Sequence, residues 1–221
     1  GYITNAFGSN PLNENAQVTA SDLRVRSFWT SIYKVINAAN GVLKQIAPVS
    51  EDEFVHNRKT EIIAEARLLR AEALVQMQQY KEAMEDIDTI LAQDPEDESA
   101  ILLRGKIEEA TGDKEKAESS YQKVTELNPF NEQAFLYLGQ LYITQNKLAE
   151  AIELFTEATE LNPNFAEAYH ERGRAKLLNG DKEGSAEDMK KGLELNPKEI
   201  QNFNGQYGNQ PEGSTGNILG L

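Results

Sequence analysis

The sequence predicts an all-α protein: a right-handed solenoid of helical hairpins, preceded by an N-terminal helical hairpin and followed by an irregular C-terminal tail. Two observations carry this reading. Pro95, Pro129, Pro163 and Pro197 fall 34 residues apart, and three of them close the phrase Glu-Leu-Asn-Pro. Between them, small residues recur in some columns and large residues in others, with helical apolar spacing on either side.

Residues 1–20, rich in Asn, Gly and Ser with Pro11, read as an irregular lead-in. Ser21-Asp22 reads as the N-cap of a helix that should run to about Ala47, with Val25, Phe28, Ile32, Val35, Ile36, Ala39, Val42, Leu43 and Ile46 at helical spacing. Pro48 ends it. After a polar stretch a second, long helix should begin near Phe54 and pass without a breaker into the repeats, which makes 21–63 a helical hairpin.

The periodic part, 64–199, divides into repeats 64–97, 98–131, 132–165 and 166–199, with the proline at position 32 of each. Position 8, where the two helices of a hairpin come closest, holds Ala71, Gly105, Gly139 and Gly173; a side chain larger than alanine should prevent that approach. Its partner on the second helix, position 20, holds Ala83, Ala117, Ala151 and Ser185. Large residues fill position 24 (Ile87, Tyr121, Phe155, Met189) and position 4 (Ile101, Phe135, Tyr169). Gly112-Asp113, Asn146-Lys147 and Gly180-Asp181 mark turns between helices. Residues 200–221, with Gly and Asn throughout and Pro211, read as a flexible tail, although Phe203, Tyr207 and Ile218-Leu219-Gly220-Leu221 give it apolar surface enough to lie in a groove.

These columns resemble the tetratricopeptide repeat, closely in the last two repeats through Gly139, Tyr142, Ala151, Phe155, Ala158 and Pro163, then Tyr169, Gly173 and Pro197. Departures are Arg67 in place of an aromatic, Glu108 and Lys176 at the usual aromatic position 11, and Gly192 at position 27. A second resemblance covers about residues 20–75. Trp29, Tyr33, Ile36, Ala39-Asn40, Leu43 and Ile46, followed by Glu65-Ala66-Arg67-Leu68-Leu69-Arg70-Ala71, are similar to the N-terminal helices of SusD/RagB-like outer-membrane lipoproteins of Bacteroidetes. That resemblance implies a cell-envelope location, a TonB-dependent transporter as partner and, in its fullest form, glycan binding. The chain departs from the family by passing straight into regular repeats, so no sugar-binding residue can be carried over.

Composition bounds the chemistry. A net charge of −14 disfavours nucleic acid and anionic membranes, since binding phosphates needs clustered Lys and Arg. Cysteine is absent, which removes disulfides and thiol chemistry. Gly1 stands where a Met would open a complete chain, which points to a processed or truncated product. His56 and His170 lie far apart without partners at metal spacing, the carboxylate pairs sit among lysines on outer helix faces, and the tail glycines lack the strand and helix of a phosphate loop. The expectation is therefore no catalytic residue, no cofactor and no metal.

What remains is the concave face, lined by positions 2, 5, 6, 9, 12 and 13 of the first helix of each repeat. The candidate partner-binding residues there are Leu69, Leu102, Leu103, Lys106, Leu136, Tyr137, Gln140, His170 and Arg174. Chaperone-binding members of the repeat family clamp a C-terminal carboxylate at fixed places, which here hold Leu68, Glu72, Leu103, Gln133 and Tyr137, so the clamp is absent. The expected function is a non-catalytic scaffold whose apolar groove takes a protein segment that is apolar, neutral or basic; glycan binding beside a transporter is the alternative.

Overall fold

The computed structural model describes residues 20–50 and 58–196, all of whose regular elements are α-helices. The lead-in before Ala20, the start of the second helix near Phe54, His56, and the tail with its apolar residues lie outside the described residues. The chain divides between Gln78 and Gln79 into two compact bodies.

The first body is a hairpin of α1 (Ala20–Ile46) and α2 (Arg58–Gln76). Helix α1 starts one residue before Ser21, so the expected cap position lies inside the first turn, and the chain turns at Ala47-Pro48 as a proline requires. Among its described side chains it buries a narrow stripe, Ile32, Ala39 and Ile46, each two turns from the next. Helix α2 buries Ala66, Ala73 and Leu74. Lys59 Nζ donates to the Val49 carbonyl at 2.7 Å, and an Arg70 guanidinium N–H donates to the Asn40 side-chain oxygen, so both ends of the hairpin are tied. Ile36 and Leu43 of α1 are half-buried, whereas Phe28, Trp29, Tyr33, Val35 and Val42 are exposed, with the Phe28 and Trp29 rings edge to face at 5.9 Å.

The second body is a run of antiparallel hairpins: α3 (Tyr80–Gln93), α4 (Glu98–Ala110), α5 (Lys114–Leu127), α6 (Glu132–Thr144), α7 (Leu148–Leu161), α8 (Ala166–Leu178) and α9 (Lys182–Leu195). Within this body consecutive helices from α3 to α9 pack on one another; in addition α4 touches α6, and α6 touches α8. The first helices of successive repeats thus crowd together along one side, the inner side.

The hairpins close on aromatic rings. Tyr121 and Phe155, at position 24, are fully buried, and each ring lies across the position-8 glycine of the facing helix. A Cβ on Gly105 would stand 2.5 Å from Tyr121 Cε1, and one on Gly139 2.6 Å from Phe155 Cε1. The tolerance is stricter than the sequence suggests, because alanine itself would collide. At Gly173 the limits are Met189 Cγ at 3.0 Å and the Ser185 carbonyl oxygen at 3.1 Å. The position-20 residues Ala117, Ala151 and Ser185 have no exposed surface.

The Glu-Leu-Asn-Pro phrase has a local mechanism. The side-chain oxygens of Asp94, Asn128 and Asn162 reach over the following proline to accept from the backbone N–H of Glu96, Phe130 and Asn164 at 3.0, 3.0 and 3.1 Å. The amides of Asn128 and Asn162 also donate to Glu98 and Glu132, the first residues of their own repeats, at 3.0 and 3.2 Å. Asp97 and Asn131 then cap the next helices by accepting from Ala100 N and Ala134 N. Between the two helices of every repeat, position 15 is left-handed: Gln78, Gly112, Asn146 and Gly180 have φ of 59°, 91°, 60° and 93°. Gln78 gives no sequence signal for such a turn.

Gly139→Ala should therefore destabilise the array by about 1–3 kcal/mol through overpacking, outweighing a gain of about 1 kcal/mol in helix propensity. Thermal unfolding followed by circular dichroism checks it, and Phe155→Leu in the same chain should relieve part of the clash.

Candidate inner binding face

Helices α4, α6 and α8 place the candidate residues, and close packing of these helices decides which of them reach the surface. Leu136 has no exposed surface and packs with Phe155, Ala168 and Ala175, while Leu103 is 6% exposed. Both are core, so the expected groove floored with leucines is corrected: Leu136 is covered by α7 and α8, and Leu103 is likewise withdrawn from the surface. Leu102 is half-buried beside the clusters around Tyr121 and Val124. Leu69 is 53% exposed on α2 and belongs to the first body.

The remaining candidates form a polar strip. Lys106 Nζ donates to the Tyr137 hydroxyl at 3.3 Å and lies 4.8 Å from the centre of its ring. The Tyr137 ring leans on Tyr121 at 5.7 Å. Further along, Gln140 Nε2 donates to Glu167 Oε1 at 3.4 Å, and Arg174 Nη1 pairs with Glu171 Oε2 at 2.9 Å. His170 is half-buried, and its ring fills the space over Gly192, where a Cβ would meet His170 Cδ2 at 2.0 Å. The unusual glycine at position 27 and the histidine at position 5 are one packing solution.

Position 12 puts Glu109 on the inner face from sequence, but its bond to Tyr121 was not legible there. Its carboxylate accepts from the buried Tyr121 hydroxyl at 3.2 Å, and the only signal for it is the general need of a buried phenol for a partner. Burial pushes the Glu109 carboxyl above its usual range against the opposing pull of Tyr121, Lys114 and Lys106. Burial and the same carboxylate push the Tyr121 phenol up as well.

On the outer side, three clefts separate the second helices of successive repeats, and each is filled differently. Between α5 and α7, Tyr142 donates to Glu118 at 3.0 Å and lies beneath Lys147, whose Nζ is 4.4 Å from the ring centre. Burial works against the Glu118 charge, but Gln145, Tyr142 and Lys147 outweigh it and hold the carboxyl below its usual range. Between α7 and α9, Arg172 grips Asp188 through Nε at 2.8 Å and Nη2 at 2.6 Å and donates to Thr159 at 2.8 Å, while Lys176 Nζ reaches Asp188 at 2.8 Å. The lysine at the aromatic position is thus part of a buried ion network. Between α3 and α5 an open cavity of about 460 Å³ remains. Among the described residues, no group of three or more His, Asp or Glu is placed to hold a metal ion, and no helix is long and apolar enough to cross a membrane.

Comparison with known proteins agrees with this architecture. Tetratricopeptide repeats match residues 68–132 and 166–199, and a TPR repeat matches 139–180, so this part of the chain is built from tetratricopeptide repeats. SusD/RagB-like proteins are not among the matched families. No curated protein matches the chain. Among solved structures, a crystal structure of MamA is 20% identical, covers 84% of this chain and 99% of its own, and has a TM-score of 0.57. Residues 41-end of MamA from Desulfovibrio magneticus RS-1 are 18% identical over 82% of this chain and 98% of their own, also at 0.57. At such identity the likeness concerns the fold alone.

The Glu109 shift has a definite sign. A carboxyl raised in the folded state holds its proton more tightly there, so its contribution to stability is present below the ordinary carboxyl range and is lost as pH rises through the raised value. Glu109→Gln, which keeps an acceptor for Tyr121, should raise the melting temperature at pH 7, and the gain should shrink towards pH 4. Paired melts of the two proteins across that interval check it.

Proposed function

We propose that the chain is a non-catalytic scaffold that captures a partner segment along the inner face of α4, α6 and α8. One observation supports this most: Lys106 with Tyr137, Gln140 with Glu167 and Arg174 with Glu171 are ordered in pairs on the inner face, all half-exposed except the exposed Glu167. Groups held in place lose less freedom on binding. Glu109, Glu167 and Glu171 outnumber Lys106 and Arg174, which favours a neutral or basic segment and repels an acidic C-terminus. Tyr137 and the side of Leu102 provide the apolar anchors, since Leu103 and Leu136 are covered.

Selection of phage-displayed peptides on the folded protein should enrich neutral and basic sequences over acidic ones. Tyr137→Ala with Gln140→Ala should weaken the best of these at least tenfold with an unchanged circular dichroism spectrum. Equal binding by the double variant would move the site elsewhere.

Placement in the cell envelope, with a TonB-dependent transporter as partner, rests on the SusD/RagB-like pattern of residues 20–75. Glycan binding has one structural observation in its favour: Trp29 and Tyr33 are 37% and 45% exposed on α1, where aromatic faces could stack on sugar rings. Trp29 is the single tryptophan, so its fluorescence should change saturably with an oligosaccharide if this reading holds, and should stay flat if it does not.

A further inference from the structure

The open cleft between α3 and α5 has an internal template, because the same cleft one repeat later is full. Positions 4, 7, 11 and 23 of the third repeat hold Phe135, Leu138, Tyr142 and Leu154, which pack into the core clusters beside α5 and α7. The second repeat holds Ile101, Arg104, Glu108 and Ser120 at those positions. Two of the substitutions shorten the side chain outright. The other two put a charge where an apolar group stood, and both charged groups are drawn aside: Arg104 Nη2 pairs with Asp88 at 2.7 Å, and Glu108 accepts from the Ser120 hydroxyl at 2.7 Å. With Ile101 and Ser120 shorter than their counterparts and the two charged groups drawn aside, a cavity of about 460 Å³ lies open there. That size falls within the range of about 300–1,000 Å³ typical of ligand pockets.

The lining divides by chemistry. Ile101 is buried beneath the cavity, Leu91, Ala92 and Pro95 add apolar lining, and the exposed Lys116 and Lys123 of α5 line it with Arg104 of α4. Arg104 is paired with Asp88 and Lys116 with Asp113, so the cationic character of the cleft is confined to its rim, where Lys116 and Lys123 are exposed. Lys116 pairs with the half-exposed Asp113, and Lys123 Nζ donates to the Pro95 carbonyl at 2.8 Å; both amines are on the surface and can turn to a new anion. They lie seven residues apart on one helix, about 10 Å along its axis, which three residues of extended chain span.

We propose that this cleft is a second binding site, independent of the inner face, that takes a tyrosine or phenylalanine side chain from an extended partner peptide with carboxylates three residues apart on either side of the ring. The ring occupies the space that Tyr142 fills in the next cleft. The carboxylates meet Lys116 and Lys123. Charge and shape thereby select for an acidic aromatic segment, the opposite of what the inner face favours.

The probe is the peptide acetyl-Gly-Glu-Tyr-Gly-Glu-Gly-amide, titrated into the ¹⁵N-labelled protein and followed by amide chemical shifts. Saturable shifts at Leu91, Ile101 and Ser120, with Tyr137 and Gln140 unmoved, are expected. The same peptide with Lys for Glu, or Ala for Tyr, should bind at least tenfold more weakly. Glu108→Tyr with Ser120→Leu, which rebuilds the filling of the next repeat, should abolish the shifts, and Lys116→Glu with Lys123→Glu, two surface changes that leave the core intact, should weaken binding at least tenfold. Three results would overturn the proposal: no saturation at millimolar peptide, equal binding of the lysine-flanked peptide, or undiminished binding by the lysine-to-glutamate variant. Shifts centred on Tyr137 would also overturn it, and would keep the inner face as a binding site while removing its preference for neutral or basic segments.

Discussion

The contact between an aromatic ring and a bare glycine backbone sets the geometry on which the second body depends. Tyr121 over Gly105 and Phe155 over Gly139 bring the helices of a hairpin closer than any pair of ordinary side chains would allow. With each hairpin so thin, the first helices of neighbouring repeats touch, and leucines that a helical wheel would place in a groove end up in the core. The polar character of the inner face is a consequence of tight packing underneath it.

The outer side follows from the same repetition with different residues. Three equivalent clefts hold a tyrosine over a carboxylate, a buried Arg-Asp-Lys network, and a cavity. The ion network is an expensive way to fill space, since two cations and one anion must leave water, and bidentate geometry with the Thr159 hydroxyl offsets that cost. Identical scaffolding with unlike fillings lets one chain present an acidic strip on one side and a lysine-rimmed cleft on the other.

Much of this was legible in the residues. The proline period and the small and large columns identify the helices of the repeats and the side chains that meet in each hairpin, because those contacts are set by spacing within one repeat. What spacing could not reveal is which neighbour stands beside a position. Leu136 reads as groove lining from its own helix and becomes core only because α8 is close. Gly192 reads as a weak repeat position until the His170 ring is found in the space it leaves. Gln78 adopts a left-handed turn that its side chain does not announce; the demand comes from the hairpin. Likewise Phe28 reads as part of the apolar stripe of α1, yet it is exposed together with Trp29 and Tyr33, while Ile32, Ala39 and Ile46 are the residues buried.

The bonds that close each repeat bear on how the chain reaches its folded form. Asn128 and Asn162 return to residues 30 positions earlier, and Asn131 reaches Glu98 across 33, so the array is assembled from contacts no farther apart than about one repeat. Low average sequence separation means little loop-closure entropy to overcome before a contact forms, and chains of this kind fold in roughly microseconds to milliseconds. A hairpin emerging during synthesis already carries its own ring, its glycine and its closing amide, and can act as the surface on which the next one condenses.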